Sequence, residues 1–269
     1  MGICSAGQAS EVVMLGGQEL EVPVPEGFVR IDGINGEFDT LQRGFVAEQN
    51  RLLIYLGTEQ DHGVLQAGGT PGLERSMNMQ VTKELEPLNV SVSDFDRLKD
   101  SVRSEVPGLD TSKEFSEYSK GVEKKLGEGA GREASVDVSQ PGPVQLIDES
   151  PNHVTFGMEL DLRVTAGDGT RQVRGYVAWS MVRVHGKVVN LYCNTNVEGA
   201  AEREWARETV AAWRTAILGS NGALAAAMAE EPETGRGGGA MSRILRGALI
   251  GAVIGGIFGV IQALRKKKG

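Results

Sequence analysis

Few residues in this chain have the chemistry to act. There are three histidines, His62, His153 and His185, and two cysteines, Cys4 and Cys193. Asp61-His62 sits in a glycine-rich stretch and has the make-up of half an acid–base pair or of a metal ligand. A metal site needs several ligands at recognisable spacing, and the sequence offers none, so the pair reads more readily as solvated loop charge. His153 falls at a strand start and His185 in a tight turn, and neither suggests a site. Cys193 lies late in an apolar strand with no histidine close in sequence, so it reads as a small buried hydrophobe rather than a nucleophile. Asp168-Gly169 is turn chemistry, not a calcium loop. No catalytic, cofactor-binding or metal residue is expected, and no cofactor.

A second pattern is chemical only in lipid. Gly247, Gly251, Gly255 and Gly259 form three overlapping Gly-x-x-x-Gly units inside the apolar run Ile244 to Leu264. The uncharged part, Gly247 to Leu264, would rise about 27 Å as a helix, close to the roughly 30 Å of a bilayer core. In lipid, glycines let backbones approach, so the stripe predicts helix–helix association and a homo-oligomer. The alternative is a monomeric anchor with incidental small residues. Arg243 and Arg246 before the run, and Arg265, Lys266, Lys267 and Lys268 after it, are the topology residues; their balance barely favours a cytoplasmic C-terminus with the body outside.

Charge is uneven. From Arg236 onward there are seven basic residues and no acidic ones, so the whole-chain net charge of −8 becomes −15 for residues 1–235. An acidic body argues against nucleic-acid binding. Residues 1–9 are rich in small residues and end Gly7-Gln8-Ala9 like a signal-peptide cleavage site, yet lack an apolar core. They read either as a signal-peptide remnant or as a flexible N-terminus. With Cys4 in that segment, no disulfide to Cys193 is expected.

The elements that must position these residues follow in order. Glu11 to Pro23 reads as a hairpin turning at Gly16-Gly17. Asn35 caps a helix presenting Phe38, Leu41, Phe45 and Val46. Arg51 to Gly57 is an interior strand, Gln60 to Gly72 a glycine-rich loop, and Met77 to Leu85 another strand. Helices start at Ser93, with Phe95, Leu98 and Val102 inward, and at Thr111, where Glu114 completes a capping box. Gly127 to Ser139 reads as a loop. From His153 to Val164 the even positions are apolar and most odd ones polar, which predicts a strand with one buried face. Gln172 to Val184 and Lys187 to Asn194 complete an antiparallel meander. Ala200 to Leu218 is a helix with Trp205, Thr209, Trp213 and Ile217 on one stripe. The fold class is α+β, an antiparallel sheet covered by helices, plus one C-terminal transmembrane helix. The divisions are a domain at 10–222, a flexible tether at 223–243, the helix at 244–264 and a basic tail at 265–269.

The stretch Glu19-Leu20-Glu21-Val22-Pro23-Val24-Pro25-Glu26-Gly27-Phe28, the helix after it, and the late meander ending Val188-Val189-Asn190-Leu191-Tyr192-Cys193 before a Trp-containing helix resemble the PsbP-like α/β/α sandwich. That resemblance covers roughly residues 10–220 and implies a non-enzymatic accessory or binding module of a membrane-associated bacterial protein. It carries no site residues across. The expected function is a single-pass, membrane-anchored binding or assembly module, self-associating, in the bacterial inner membrane with the body periplasmic. The protein partner is unspecified and no nucleic acid is expected. The alternatives are an enzyme with a pocket near the 60–72 loop, or a tail-anchored cytoplasmic protein of stress or trafficking.

Overall fold

The chain alternates short amphipathic strands with helices whose starts are capped, and the backbone follows those signals. The computed structural model describes residues 9–105, 134–166 and 169–222. Strands β1 (Ser10–Leu15) and β2 (Gln18–Pro23) form an antiparallel hairpin. Gly16 and Gly17 turn it with φ of 56° and 83°, a left-handed pair that residues with a Cβ rarely adopt. After β3 (Phe28–Arg30), Asn35 accepts hydrogen bonds from the Glu37 and Phe38 amides and starts α1 (Gly36–Phe45). β4 (Asn50–Thr58), α2 (Glu59–Gln66), β5 (Arg75–Thr82) and α3 (Val92–Glu105) follow. The second half holds β6 (Ala134–Pro141), β7 (Gln145–Ser150), β8 (His153–Ala166), β9 (Gly169–Val184), β10 (Lys187–Asn196) and α4 (Ala200–Ser220).

Eight strands make one antiparallel sheet in the order β3-β4-β5-β10-β9-β8-β6, with β7 also paired to β8. The order places β5 and β10 in the middle, so both of their faces are covered. On one face, Ile54, Leu56, Met77, Met79, Leu191 and Cys193 pack against Ala206, Val210, Trp213 and Ile217 of α4 and against Val13, Leu15, Leu20 and Val22 of the hairpin. Trp213 Nε1 donates to Pro23 O at 2.9 Å, and Asn221 at the end of α4 pairs both ways with the backbone of Glu21, at 3.0 and 2.8 Å. The hairpin and α4 therefore form a single layer. The opposite face lies under α1 and α3. Phe38 of α1 meets Tyr55 edge-on at 6.4 Å, and Arg183 of β9 hands its Nε to Val90 O beside α3.

Several expectations are corrected. Among the described residues no helix is long and apolar enough to cross a membrane. The longest, α4, carries Glu202, Arg203, Glu204, Arg207, Glu208 and Arg214. The described residues thus form an α+β fold with no membrane-crossing helix, and the transmembrane helix of the expected fold class and the inner-membrane, periplasmic placement that rested on it are not carried forward. The run 244–264, its Gly247, Gly251, Gly255 and Gly259, and the topology residues Arg243, Arg246, Arg265, Lys266, Lys267 and Lys268 lie outside the described residues. So do residues 1–8, the Thr111 helix and the tether.

The loop read from Gln60 to Gly72 begins instead as α2, because Thr58 and Asp61 close a capping box. The loop read to Ser139 gives way to β6 at Ala134, and β7 was missed. Of the α4 stripe read in sequence, Trp213 and Ile217 are buried in the core, but in its first half Ala206 and Val210 take the places read for Trp205 and Thr209, and Trp205 is half-buried at the margin. There it stacks on Phe28 at 6.1 Å and sits 4.6 Å under the Arg75 guanidinium. The single buried face read for the β8 meander is also corrected. Val154, Phe156, Met158 and Leu160 are buried on one side, but Thr155 on the other is 1% exposed.

Candidate functional site

Strand β5 has a strict two-residue alternation. Met77, Met79 and Val81 face the α4 core, and Ser76, Asn78, Gln80 and Thr82 point to the opposite side. A polar strand face ordinarily meets water. Here the four polar side chains are at most 2% exposed, because β5 lies mid-sheet beneath the α1/α3 layer. β10 repeats the arrangement with Asn190 and Asn194, both 2% exposed. Register sets Tyr192 opposite Asn78 and Trp179, Tyr55 opposite Asn78, and Phe156 opposite Trp179. One row across five strands therefore reads Phe156, Trp179, Tyr192, Asn78, Tyr55. Its aromatic half is packed, with ring centroids 5.3 and 6.4 Å apart.

The amides are linked in one direction. Thr82 Oγ1 donates to Asn50 Oδ1 at 3.3 Å, Asn50 Nδ2 to Gln80 Oε1 at 3.0 Å, and Gln80 Nε2 to Asn78 Oδ1 at 2.8 Å. The chain ends at Asn78 Nδ2, which is buried and donates to nothing. Asn194 is diagonal to it on β10, and both of its amide atoms lack partners. Gln42 of α1, one helical turn after Phe38, is 2% exposed with both amide atoms likewise unpaired. Neighbouring polar groups are satisfied: Tyr55 OH donates to Ser76 Oγ at 3.2 Å and Trp179 Nε1 to Asn190 Oδ1 at 3.0 Å. Burial holds the Tyr55 and Tyr192 hydroxyls well above the ordinary tyrosine range, so both stay protonated. A buried polar atom without a partner normally costs free energy, and Asn78 and Asn194 carry such atoms as diagonal neighbours on β5 and β10.

A second cluster lies at the β7–β8 turn, on the α4 face. Ser150 Oγ is 2.7 Å from His153 Nδ1 and accepts the Asn152 amide at 3.1 Å. His153 Nε2 stands 3.4 Å from Asp148 Oδ2 without a directed hydrogen bond. The residue types are those of a nucleophilic triad, but the electrostatics oppose that use. Burial and the Arg214 cation outweigh Asp148 and lower the His153 pKa to about 4. A base that weak holds no serine proton at neutral pH. Burial opposes the Asp148 charge, but Arg214 and Thr155 hydrogen bonds outweigh it and hold the carboxyl below its usual range. Arg214 itself spans Asp148 and Thr155 Oγ1, so the cluster fastens α4 to the sheet.

Among the described residues the His62 side chain makes no hydrogen bond or ion pair, and Asp61 belongs to no group that could hold a metal ion. Asp61 accepts from Thr58 N, Thr58 Oγ1 and Leu73 N at 3.2, 2.7 and 3.0 Å and completes the capping box begun by Thr58. Cys193 is fully buried in the core, and burial raises its thiol well above the usual range. Among the described residues no group of three potential ligands could hold a metal ion. The sequence reading missed the amide patch, although the alternation of Ser76, Asn78, Gln80 and Thr82 was visible. Only the strand's place mid-sheet makes that polar face a buried one.

No family model matches the chain, and no curated protein matches it. Among solved structures it is similar to the 1.9 Å crystal structure of the Ran-binding protein Mog1p of Saccharomyces cerevisiae. The identity is 13% and the TM-score 0.28, over 76% of this chain and 92% of that one. At that score the likeness says nothing of this chain's ligand or partner.

Proposed function

We propose that the protein is a non-enzymatic binding module whose ligand sits on the amide face of the sheet, over β5 and β10. The observation that supports this is the unspent hydrogen-bonding capacity of Asn194, a 2%-exposed amide with neither atom paired. Leaving such a group unpaired costs on the order of 1–3 kcal/mol. A protein that keeps this cost in its centre, diagonal to the open Nδ2 of Asn78, is built to recover it on binding.

The reading makes opposite demands on stability and on recognition. Asn194→Leu removes the unpaired amide at similar volume, so the ligand-free variant unfolds at the same or a higher denaturant midpoint than the parent. The same variant loses ligand-induced stabilisation. A lowered midpoint without ligand, by about 1 kcal/mol or more, would mean that Asn194 serves the fold and not a ligand.

A further inference from the structure

We infer that the outer edge of β1 accepts an extended, basic segment of a partner protein as an added strand. Asn221 bonds both backbone groups of Glu21, so these groups point away from β1. Glu21 stands opposite Val12, and in an antiparallel ladder both members of such a pair turn their groups outward. The backbone N–H and C=O of Ser10, Val12 and Met14 therefore line the outer edge of β1. Arg51 reaches that edge and donates to Met14 O at 2.9 Å; among the described residues the other five groups have no partner. Natural edges are ordinarily guarded by charge, proline or a bulge. Here the side chains on the exposed face are Val12 and Met14, 57% and 53% exposed, and β1 pairs with β2 without a register shift. Backbone bonds to such an edge supply affinity, and side chains at alternate positions supply choice.

Charge fixes the class of partner. β2 sets Glu21 and Glu19 beside Val12 and Met14 on the same exposed face. Glu19 has no ion pair among the described residues, and Glu21 accepts only from the neutral Ser10 hydroxyl, at 2.9 Å. The two cations bonded to β1 are spent, Arg30 on Asp32 and Glu11 and Arg51 on Glu86. The open charge is thus negative. An added strand lies two strand spacings, about 10 Å, from β2. A lysine or arginine on it lays its aliphatic stem over Val12 or Met14 and carries its charge to Glu21 or Glu19. A carboxylate at the same place meets like charge. The hairpin packs on the α4 side of the sheet, away from the amide face, so this surface does not depend on the binding reading above.

The test uses the full chain, isotope-labelled, with its backbone amides followed by NMR. The probe is a short capped peptide alternating lysine with valine, against the same peptide with glutamate for lysine and a third with a central proline. The expected result is a saturable shift and slowed hydrogen exchange at the Val12 and Met14 amides with the lysine peptide. The glutamate peptide binds at least about tenfold more weakly, and the central proline, which removes a ladder donor, abolishes binding. Glu19→Lys weakens the lysine peptide while the hairpin signals stay folded. Val12→Pro removes an edge amide where a strand tolerates proline, and abolishes binding. No binding of the lysine peptide, equal binding of the glutamate peptide, or shifts that fall outside the hairpin overturn the proposal. So does the same protection of Val12 and Met14 on concentrating the protein without peptide, which assigns the edge to a second copy of the chain.

Discussion

Arg214 grips Asp148 with both terminal nitrogens, Nη1 at 3.1 Å from Oδ1 and Nη2 at 3.0 Å from Oδ2, and so ties α4 to β7 across 66 residues of chain. Arg214 is 6% exposed, and its Nη1 also reaches Thr155 Oγ1 at 2.7 Å. The arginine is stranded without its partner far more than the half-exposed carboxylate is. Asp148→Asn is therefore expected to destabilise by about 2 kcal/mol, below the full cost of breaking a buried pair because one partner meets water. Arg214→Met should cost less, since methionine fills the space without a charge, and should raise the His153 pKa by removing a neighbouring cation. Urea denaturation and an NMR titration of the imidazole read the two effects.

The same histidine sets an acid limit on stability. Burial, with Arg214 and against Asp148, lowers its pKa from 6.5 to about 4 in the folded chain. Between those values the unfolded chain binds the proton and the folded one does not. Stability is full above pH 6.5 and falls as the pH drops toward 4, by about 3 kcal/mol at most. Asp148, whose pKa is lowered, adds a further loss at still lower pH as its carboxyl protonates. His153→Gln should flatten the loss between pH 6.5 and 4 and leave the deeper one in place. A profile of urea midpoints against pH that is unchanged in the variant would sink this account.

How far the fold was legible depends on whether a signal is local. The Gly16-Gly17 turn, the Asn35 cap and the apolar run of β4 are written in adjacent residues, and each forms as read. β6 and β7 were hidden because their pairing with β8 shifts register between Val138 and Gln140 and between Leu146 and Asp148. A bulge breaks the two-residue period on which a strand is recognised. α2 was hidden by Gly63 within it and by Gly68, Gly69 and Gly72 just after it, although Thr58 and Asp61 spelled out its start. The candidate site was not legible for a different reason. The polar alternation of β5 was plain, but burial of a polar face is decided by where a strand stands in the sheet. That in turn depends on β10 inserting between β5 and β9, about a hundred residues later in the chain.

Gly157 interrupts the polar side of β8 for a steric reason. A Cβ there would stand 1.9 Å from the Tyr176 hydroxyl, which accepts from Arg207 Nε at 2.8 Å. Gly157→Ala should displace that tyrosine and lose about 1–3 kcal/mol as an overpacked site. Tyr176→Phe removes the clashing oxygen, so the double variant should cost less than the two single costs added together. A double-mutant cycle showing plain additivity would mean that the strand itself yields instead.

Asp61 and His62 were the adjacent residues with the most suggestive chemistry, and the structure separates their roles. Asp61 Oδ2 takes the Thr58 amide and hydroxyl, while Oδ1 takes the Leu73 amide at 3.0 Å. One carboxylate thus starts α2 and pins the segment that returns to β5, where Leu73 holds a positive φ of 47°. His62 is half-buried on the helix and shares none of these bonds. Asp61→Ala should break the reciprocal half of the capping box, leaving the Thr58 hydroxyl as N-cap, and orphan the Leu73 amide, costing about 2 kcal/mol. His62→Ala should stay within about 0.5 kcal/mol of the parent, as an ordinary surface change does. Hydrogen exchange locates the effect: in Asp61→Ala, protection should fall across Glu59–Gln66 and at Leu73 while the β5 and β10 amides keep theirs. Equal and large losses from the two variants would show that the pair acts together, which the capping geometry does not allow.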